Sequence, residues 1–101
     1  MDLNVARYNL VSIHLAVLCA DFGSLSAAAK RAHCSLSAGS QRLSALEAIM
    51  GTPLFIRHYR GLQPTVAGKL FVSHGKSILK HLECLQVEVA AQSASEQLPP
   101  R

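Results

Sequence analysis

The side chains able to do chemistry in this chain of 101 residues are few, and their spacing argues mostly against catalysis. The five histidines, His14, His33, His58, His74 and His81, form no HExxH or comparable ligand pattern. The three cysteines, Cys19, Cys34 and Cys84, are odd in number and match neither a zinc site nor a disulfide framework. They read as reduced thiols packed as small hydrophobes; the alternative, a redox switch, has no supporting neighbour in the sequence. Six scattered acidic residues make no paired carboxylates, no glycine-rich loop could cradle a phosphate, and no nucleophile stands with a base. An enzyme has almost no support, and no metal or cofactor is expected.

Positive charge is what the chain does concentrate. Between Ser24 and Leu82 lie Lys30, Arg31, Arg42, Arg57, Arg60, Lys69, Lys76 and Lys80, against the single acid Glu47. Asp2, Asp21, Glu83, Glu88 and Glu96 fall outside that block, so the formal net charge of +4 understates it. Such a block suits a polyanion, because phosphate contacts release condensed counterions. A solvated basic surface is the plainer alternative for the charge alone.

The elements that must position these charges follow from periodicity. A first helix is expected over about Asn9 to Asp21, with Leu10, Ile13, Ala16, Val17 and Ala20 on one stripe. Gly23 can take the positive φ of a helix end, and Ser24 or Ser26 can cap a short second helix reaching about Ala32. His33-Cys34 makes a turn, and Ser35 caps a third helix over about Leu36 to Met50. In that helix Gly39, Leu43, Leu46 and Met50 make a buried stripe. Ser37, Gln41 and Ser44 point the other way, with Ser40 at the edge. A face of small, uncharged hydrogen-bonding residues lets a helix backbone approach base edges. Two short apolar runs then flank a glycine-containing turn, Pro53 to Arg57 and Leu62 to Pro64, which predicts a hairpin with Arg57, His58, Tyr59 and Arg60 toward its tip.

Thr65 can cap a fourth helix over about Val66 to Ala91. Phe71, Gly75, Ile78, Leu82, Leu85 and Val89 alternate steps of four and three, the seam of a two-stranded coiled coil. Leu70 and Leu79 are expected to pack on the helix's own domain. The tail from Gln92 to Arg101, with Pro99-Pro100, has linker composition. Half of the residues are hydrophobic, enough for one modest core, yet no run of about 18 apolar residues could span a membrane. Met1 to Leu10 does not read as a signal peptide, so a cytoplasmic location is expected.

From Gly23 to Gly68 the chain resembles the N-terminal domain of LysR-type transcriptional regulators. The resemblance is carried by Gly23-Ser24-Leu25, Ala28-Ala29, Ser35, Ser40, Leu46-Glu47, Gly51, Leu54-Phe55, Arg57, Arg60-Gly61 and Thr65 with Ala67-Gly68. It covers about half of the chain without a gap and orders helix, turn, helix and wing. It implies a mainly α fold, a winged helix-turn-helix of three helices plus a two-stranded β wing, followed by a long linker/dimerisation helix. Residues 1–65 would be the DNA-binding domain, 66–91 the linker helix, and 92–101 a flexible hinge toward an effector-binding domain beyond this chain. The resemblance further implies sequence-specific binding of double-stranded DNA by a homodimer, or a tetramer in a full-length protein, with the third helix in the major groove and the wing at the minor groove. A small-molecule effector would act only through the further domain. Residue by residue, Ser37, Ser40 and Gln41 carry over to base reading and Arg57 with Arg60 to the wing contact. Ser24, Ser26, Lys30, Ser35, Leu36, Arg42, Ser44, His58 and Thr65 complete the expected DNA-binding set.

The chain departs from the family pattern in places. Leu36-Ser37 stands where the family has Gln-Pro, Gln41-Arg42 where it often has Arg-Gln, and Gly39 where it has a larger apolar residue. Ala16 replaces an aromatic, Pro64 replaces a leucine, and the chain starts about seven residues early. A protein-interaction module working through the seam of the fourth helix is the alternative function; Leu36, Gly39 and the uncharged face of the third helix favour it.

Overall fold

The computed structural model describes residues 3–95. A 3-10 turn, Val5–Arg7, precedes α1 (Leu10–Phe22), α2 (Leu25–Arg31) and α3 (Leu36–Met50); β1 (Phe55–His58) and β2 (Gly61–Pro64) form an antiparallel hairpin, and α4 (Val66–Ser95) follows. The chain is a mainly α winged helix-turn-helix with a long trailing helix, as the sequence implied.

Local chemistry sets the boundaries. Asn9 Oδ1 accepts from Val11 N–H at 2.8 Å, Ser24 Oγ from Ala27 N–H at 3.1 Å, and Ser35 Oγ from Ala38 N–H at 3.0 Å, so each of the first three helices opens on a capping side chain. Each such cap is worth about 1 kcal/mol. Gly23 and Gly51 close α1 and α3 in the left-handed conformation. Between α2 and α3 the left-handed residue is His33, at φ 59°, a conformation that disfavours a side chain carrying a Cβ.

The core is built around α1, which touches α2, α3, α4 and β2. Ile13, Leu15, Ala16, Val17, Leu18 and Cys19 are all buried. The expected stripe on α1 therefore captured only part of its contact surface, and its first residue, Leu10, is exposed. On α3, Gly39, Leu43 and Leu46 face inward, as expected from their spacing. A Cβ at Gly39 would lie 3.1 Å from Ala29 Cβ, so the glycine permits close packing of α2 on α3.

The fourth helix departs from its expected facing. Its inward stripe is Gly68, Val72, Gly75 and Leu79, with Phe71 at the edge. Leu70, expected to pack inward, is 61% exposed, and buried Val72 takes that place. A Cβ at Gly75 would come within 3.1 Å of Val17 Cγ2 and 3.3 Å of Ile13 Cγ2, so this glycine lets α4 lie close along α1. The expected seam is consequently divided. Phe71 and Gly75 pack within the chain, whereas Ile78, Leu82, Leu85 and Val89 are exposed. The helix also runs to Ser95, past the expected end at Ala91. Residues 96–101 of the expected hinge lie outside the described residues. Thirty residues of helix span about 45 Å.

Candidate nucleic-acid interface

The hairpin is latched to the helices through Leu54 and Gly61. Glu47, on α3, accepts from the N–H groups of Leu54 at 2.7 Å and Phe55 at 3.2 Å through one carboxylate oxygen. The carbonyl of Leu54 accepts from Thr65 N–H at 3.0 Å, and Thr65 Oγ1 donates to the Pro53 carbonyl at 2.8 Å while accepting from Gly68 N–H at 2.9 Å. One buried residue thus joins α3, the wing and the start of α4. At the far strand, Leu62 N–H donates to the Gly23 carbonyl at 2.9 Å, and a Cβ on Gly61 (φ 118°) would run into that same carbonyl. The wing is held against the α1–α2 turn by this contact.

The register pairs Phe55 with Pro64, Ile56 with Gln63, Arg57 with Leu62 and His58 with Gly61. Side chains of a strand alternate, so Arg57 shares its face with Phe55; Phe55 is buried and Arg57 exposed. Arg57 and His58 line a cleft of about 230 Å³ with Ser24, Ser26 and Leu36, between the N-termini of α2 and α3. The structure therefore brings these five expected site residues together. Arg60 stands apart, at the tip, where its guanidinium lies 5.3 Å from the Tyr59 ring centroid. His58 Nδ1 accepts from Arg60 N–H at 3.2 Å, a contact within the turn.

On α3, Ser37, Gln41 and Ser44 are exposed, Ser40 and Arg42 are half-buried, and Leu36 is 55% exposed at the helix start. None of these residues is acidic, and Glu47, the one carboxylate of the helix, is turned to the wing. The outer face thus offers hydroxyls, one amide and one guanidinium to a partner rich in acceptors. Ser26 and Lys30 are exposed on α2. Ser24, Ser35 and Thr65 serve first as caps; the one hydroxyl proton of Thr65 is already given to Pro53, so Thr65 acts as a strap within the chain rather than an outward donor.

Arg7 was absent from the expected set. It lines a groove of about 480 Å³ together with Gln41 and Arg42 of α3. A lone arginine ahead of the first helix carries no pattern that would have marked it. Burial pushes the Cys19 thiol up to about 11, Arg57 partly countering this and Cys34 adding to it, so Cys19 is an inert packing group at neutral pH. Among the described residues, no helix is long and apolar enough to cross a membrane.

Comparison with known proteins agrees with this geometry. Residues 10–69 match the family of bacterial regulatory helix-turn-helix proteins of the lysR type. The chain is 37% identical over 90 residues to the nitrogen assimilation regulatory protein nac of Klebsiella aerogenes, covering 89% of this chain and 29% of that protein. It is 35% identical over 77 residues to the HTH-type transcriptional regulator ClcR of Pseudomonas putida, covering 76% of this chain and 26% of that one. It therefore spans less than a third of the length of these relatives. Among solved structures, the DNA-binding domain of CbnR in complex with DNA superposes with a TM-score of 0.79 at 29% identity, over 85% of this chain and 99% of that one. The match to the family model covers more than half of the chain, and the fold and the helix-turn-helix geometry agree with it: the chain belongs to the LysR family of bacterial transcription regulators, as a helix-turn-helix DNA-binding domain of that family and not an enzyme.

Proposed function

We propose that this chain binds double-stranded DNA sequence-specifically as a homodimer, with α3 in the major groove and the wing at the minor groove. The observation that carries the reading is the surface formed by α3 and the wing: Ser37, Ser40, Gln41 and Ser44 on a helix whose one carboxylate, Glu47, is taken up by the wing, beside a cleft where Arg57 meets Ser24, Ser26 and Leu36. A major groove about 12 Å wide admits a helix with short side chains, where Gln41 can pair bidentately with an adenine and Leu36 can touch a thymine methyl. The serines and Lys30 then hold phosphates, fixing register without reading sequence. Arg42 extends that positive rim, and Arg57 with Arg60 addresses the narrower groove. CbnR's DNA-binding domain, solved with DNA, supports the general mode.

The dimer uses the exposed half of the α4 seam, Ile78, Leu82, Leu85 and Val89. Two α3 helices then address the half-sites of a pseudo-palindrome. The proposed site of action is the bacterial cytoplasm.

Fluorescence anisotropy with the Arg57→Ala variant tests the wing. The variant is expected to lose about 1–3 kcal/mol of specific affinity at physiological salt; affinity equal to the parent's would remove Arg57 from the interface. For the dimer, Leu82→Asp should give monomers by light scattering, and a dimer surviving that change would place the interface elsewhere.

A further inference from the structure

The segment ahead of α1 lies outside the matched family residues, yet it is laid down against α3 in a defined way. Asn4 Oδ1 accepts from Ala6 N–H at 3.1 Å, Tyr8 N–H donates to the Val5 carbonyl at 3.0 Å, and Asn9 caps α1, so the chain turns twice before the helix begins. These turns place Arg7 across a groove of about 480 Å³ from Gln41 and Arg42, with Asn9 and Ser12 on its near wall and Ala38 on the α3 side.

The chemistry of this groove is one-sided. Its polar lining is two guanidinium groups, two amides and the hydroxyls of Tyr8 and Ser12, beside apolar side chains and with no carboxylate. Asn9 spends its oxygen on the cap, which leaves its amide N–H groups to donate. Among the described residues, neither Arg7 nor Arg42 has a carboxylate within salt-bridge distance. Two cations sharing a groove repel each other unless an anion sits between them. The planar guanidinium donors match a phosphate's oxygens in pairs. Gln41 belongs both to this groove and to the exposed face of α3, so an anion here would be continuous with a duplex lying on that face.

We propose that Arg7 and Arg42 form a second phosphate-binding site, which grips the DNA backbone beside the recognition helix and extends the contact beyond the wing and α3. This rests on the DNA-binding reading above. The N-terminal segment thereby adds affinity that does not depend on base sequence.

The test is anisotropy on a mixed-sequence duplex over a salt series, for the parent, Arg7→Ala, Arg7→Lys and, as a charge control remote from the groove, Lys80→Ala. A lost phosphate contact lowers the magnitude of the slope of log K against log salt by about 0.9. Arg7→Ala is expected to lose about that much slope and about five-fold in affinity at low salt, Arg7→Lys to keep the slope, and Lys80→Ala to resemble the parent. Arg7→Gln, which keeps the side-chain stem, is expected to match Arg7→Ala and guards against a packing effect; circular dichroism melts report the fold of each. A parent that binds while Arg7→Ala keeps its slope and affinity overturns this site alone. Equal losses in Arg7→Ala and Lys80→Ala also overturn it, since net charge would then explain the change. A parent that binds no duplex at low salt overturns both this site and the DNA-binding reading.

Discussion

Glu47→Ala removes the side chain that joins α3 to the wing. In the folded chain one carboxylate oxygen accepts from Leu54 N–H at 2.7 Å and from Phe55 N–H at 3.2 Å, and both residues are buried. Hydrogen bonds to a charged acceptor contribute roughly 1.5–3 kcal/mol each, and a buried N–H left without a partner costs about 1–3 kcal/mol. The two bonds share one oxygen and the site is only partly buried, so simple addition overestimates the loss; about 2–4 kcal/mol is the expected destabilisation. In a domain of this size that corresponds to a fall in Tm of about 10–30 °C, at fixed protein concentration. Urea denaturation followed by circular dichroism is the assay. Glu47→Gln keeps an acceptor oxygen without the charge and should lose about half as much. If Glu47→Ala unfolds within about 0.5 kcal/mol of the parent, the range of an ordinary surface substitution, the clamp contributes nothing and the reasoning fails.

Two further predictions concern the wing and the core. Gly61→Ala should cost about 2–3 kcal/mol, because its φ of 118° is strained for any other residue and its Cβ would displace the Gly23 carbonyl that bonds Leu62. Gly51→Ala, with φ 72° and nothing within 4 Å of the added Cβ, should cost only about 1–2 kcal/mol in the same urea titration; equal losses would remove the steric argument. Burial raises the Cys19 thiol from 9.0 to about 11, so the folded state holds this proton more tightly than the unfolded chain. Its contribution to stability is complete below pH 9 and is lost as the pH rises through about 11. Stability measured from pH 8 to 11 should fall more steeply for the parent than for Cys19→Ala, and parallel curves would contradict the burial of this thiol.

What could be read from the sequence was local. The caps Ser24 and Ser35 and the inward stripe of α3 were legible, because a cap and the helix it opens are neighbours and α3 buries a single face. Helix α1 was only partly legible. It is surrounded by neighbours, so Leu15, Leu18 and Cys19 are as buried as the expected stripe, and a search for one amphipathic face passes them over. The facing of α4 was misjudged for a related reason. Its inward stripe includes Gly68 and Gly75, which carry no hydrophobic signal, while the coiled-coil spacing drew Phe71 and Gly75 into the outer seam. Of the proposed interface, the outward facing of Ser37, Gln41 and Ser44 on α3 was visible in their spacing. The clamp by Glu47 and the place of Arg7 were not, since each depends on groups that only the folded chain brings near. Leu36 and Gly39, which favoured an interaction module, have ordinary places here: Leu36 lines the cleft with Arg57, and Gly39 seats α3 on α2.

The central claim is that the α3 and wing surface recognises a particular DNA sequence. The most direct measurement is fluorescence anisotropy on the duplex upstream of the protein's own gene and on a scrambled duplex of equal length, each over a salt series. Tighter binding to the upstream duplex that weakens steeply with salt is the predicted result, as expected when basic side chains neutralise phosphates and base contacts supply the difference. No binding to either duplex at low salt would contradict the account and favour a protein-interaction module working through α4.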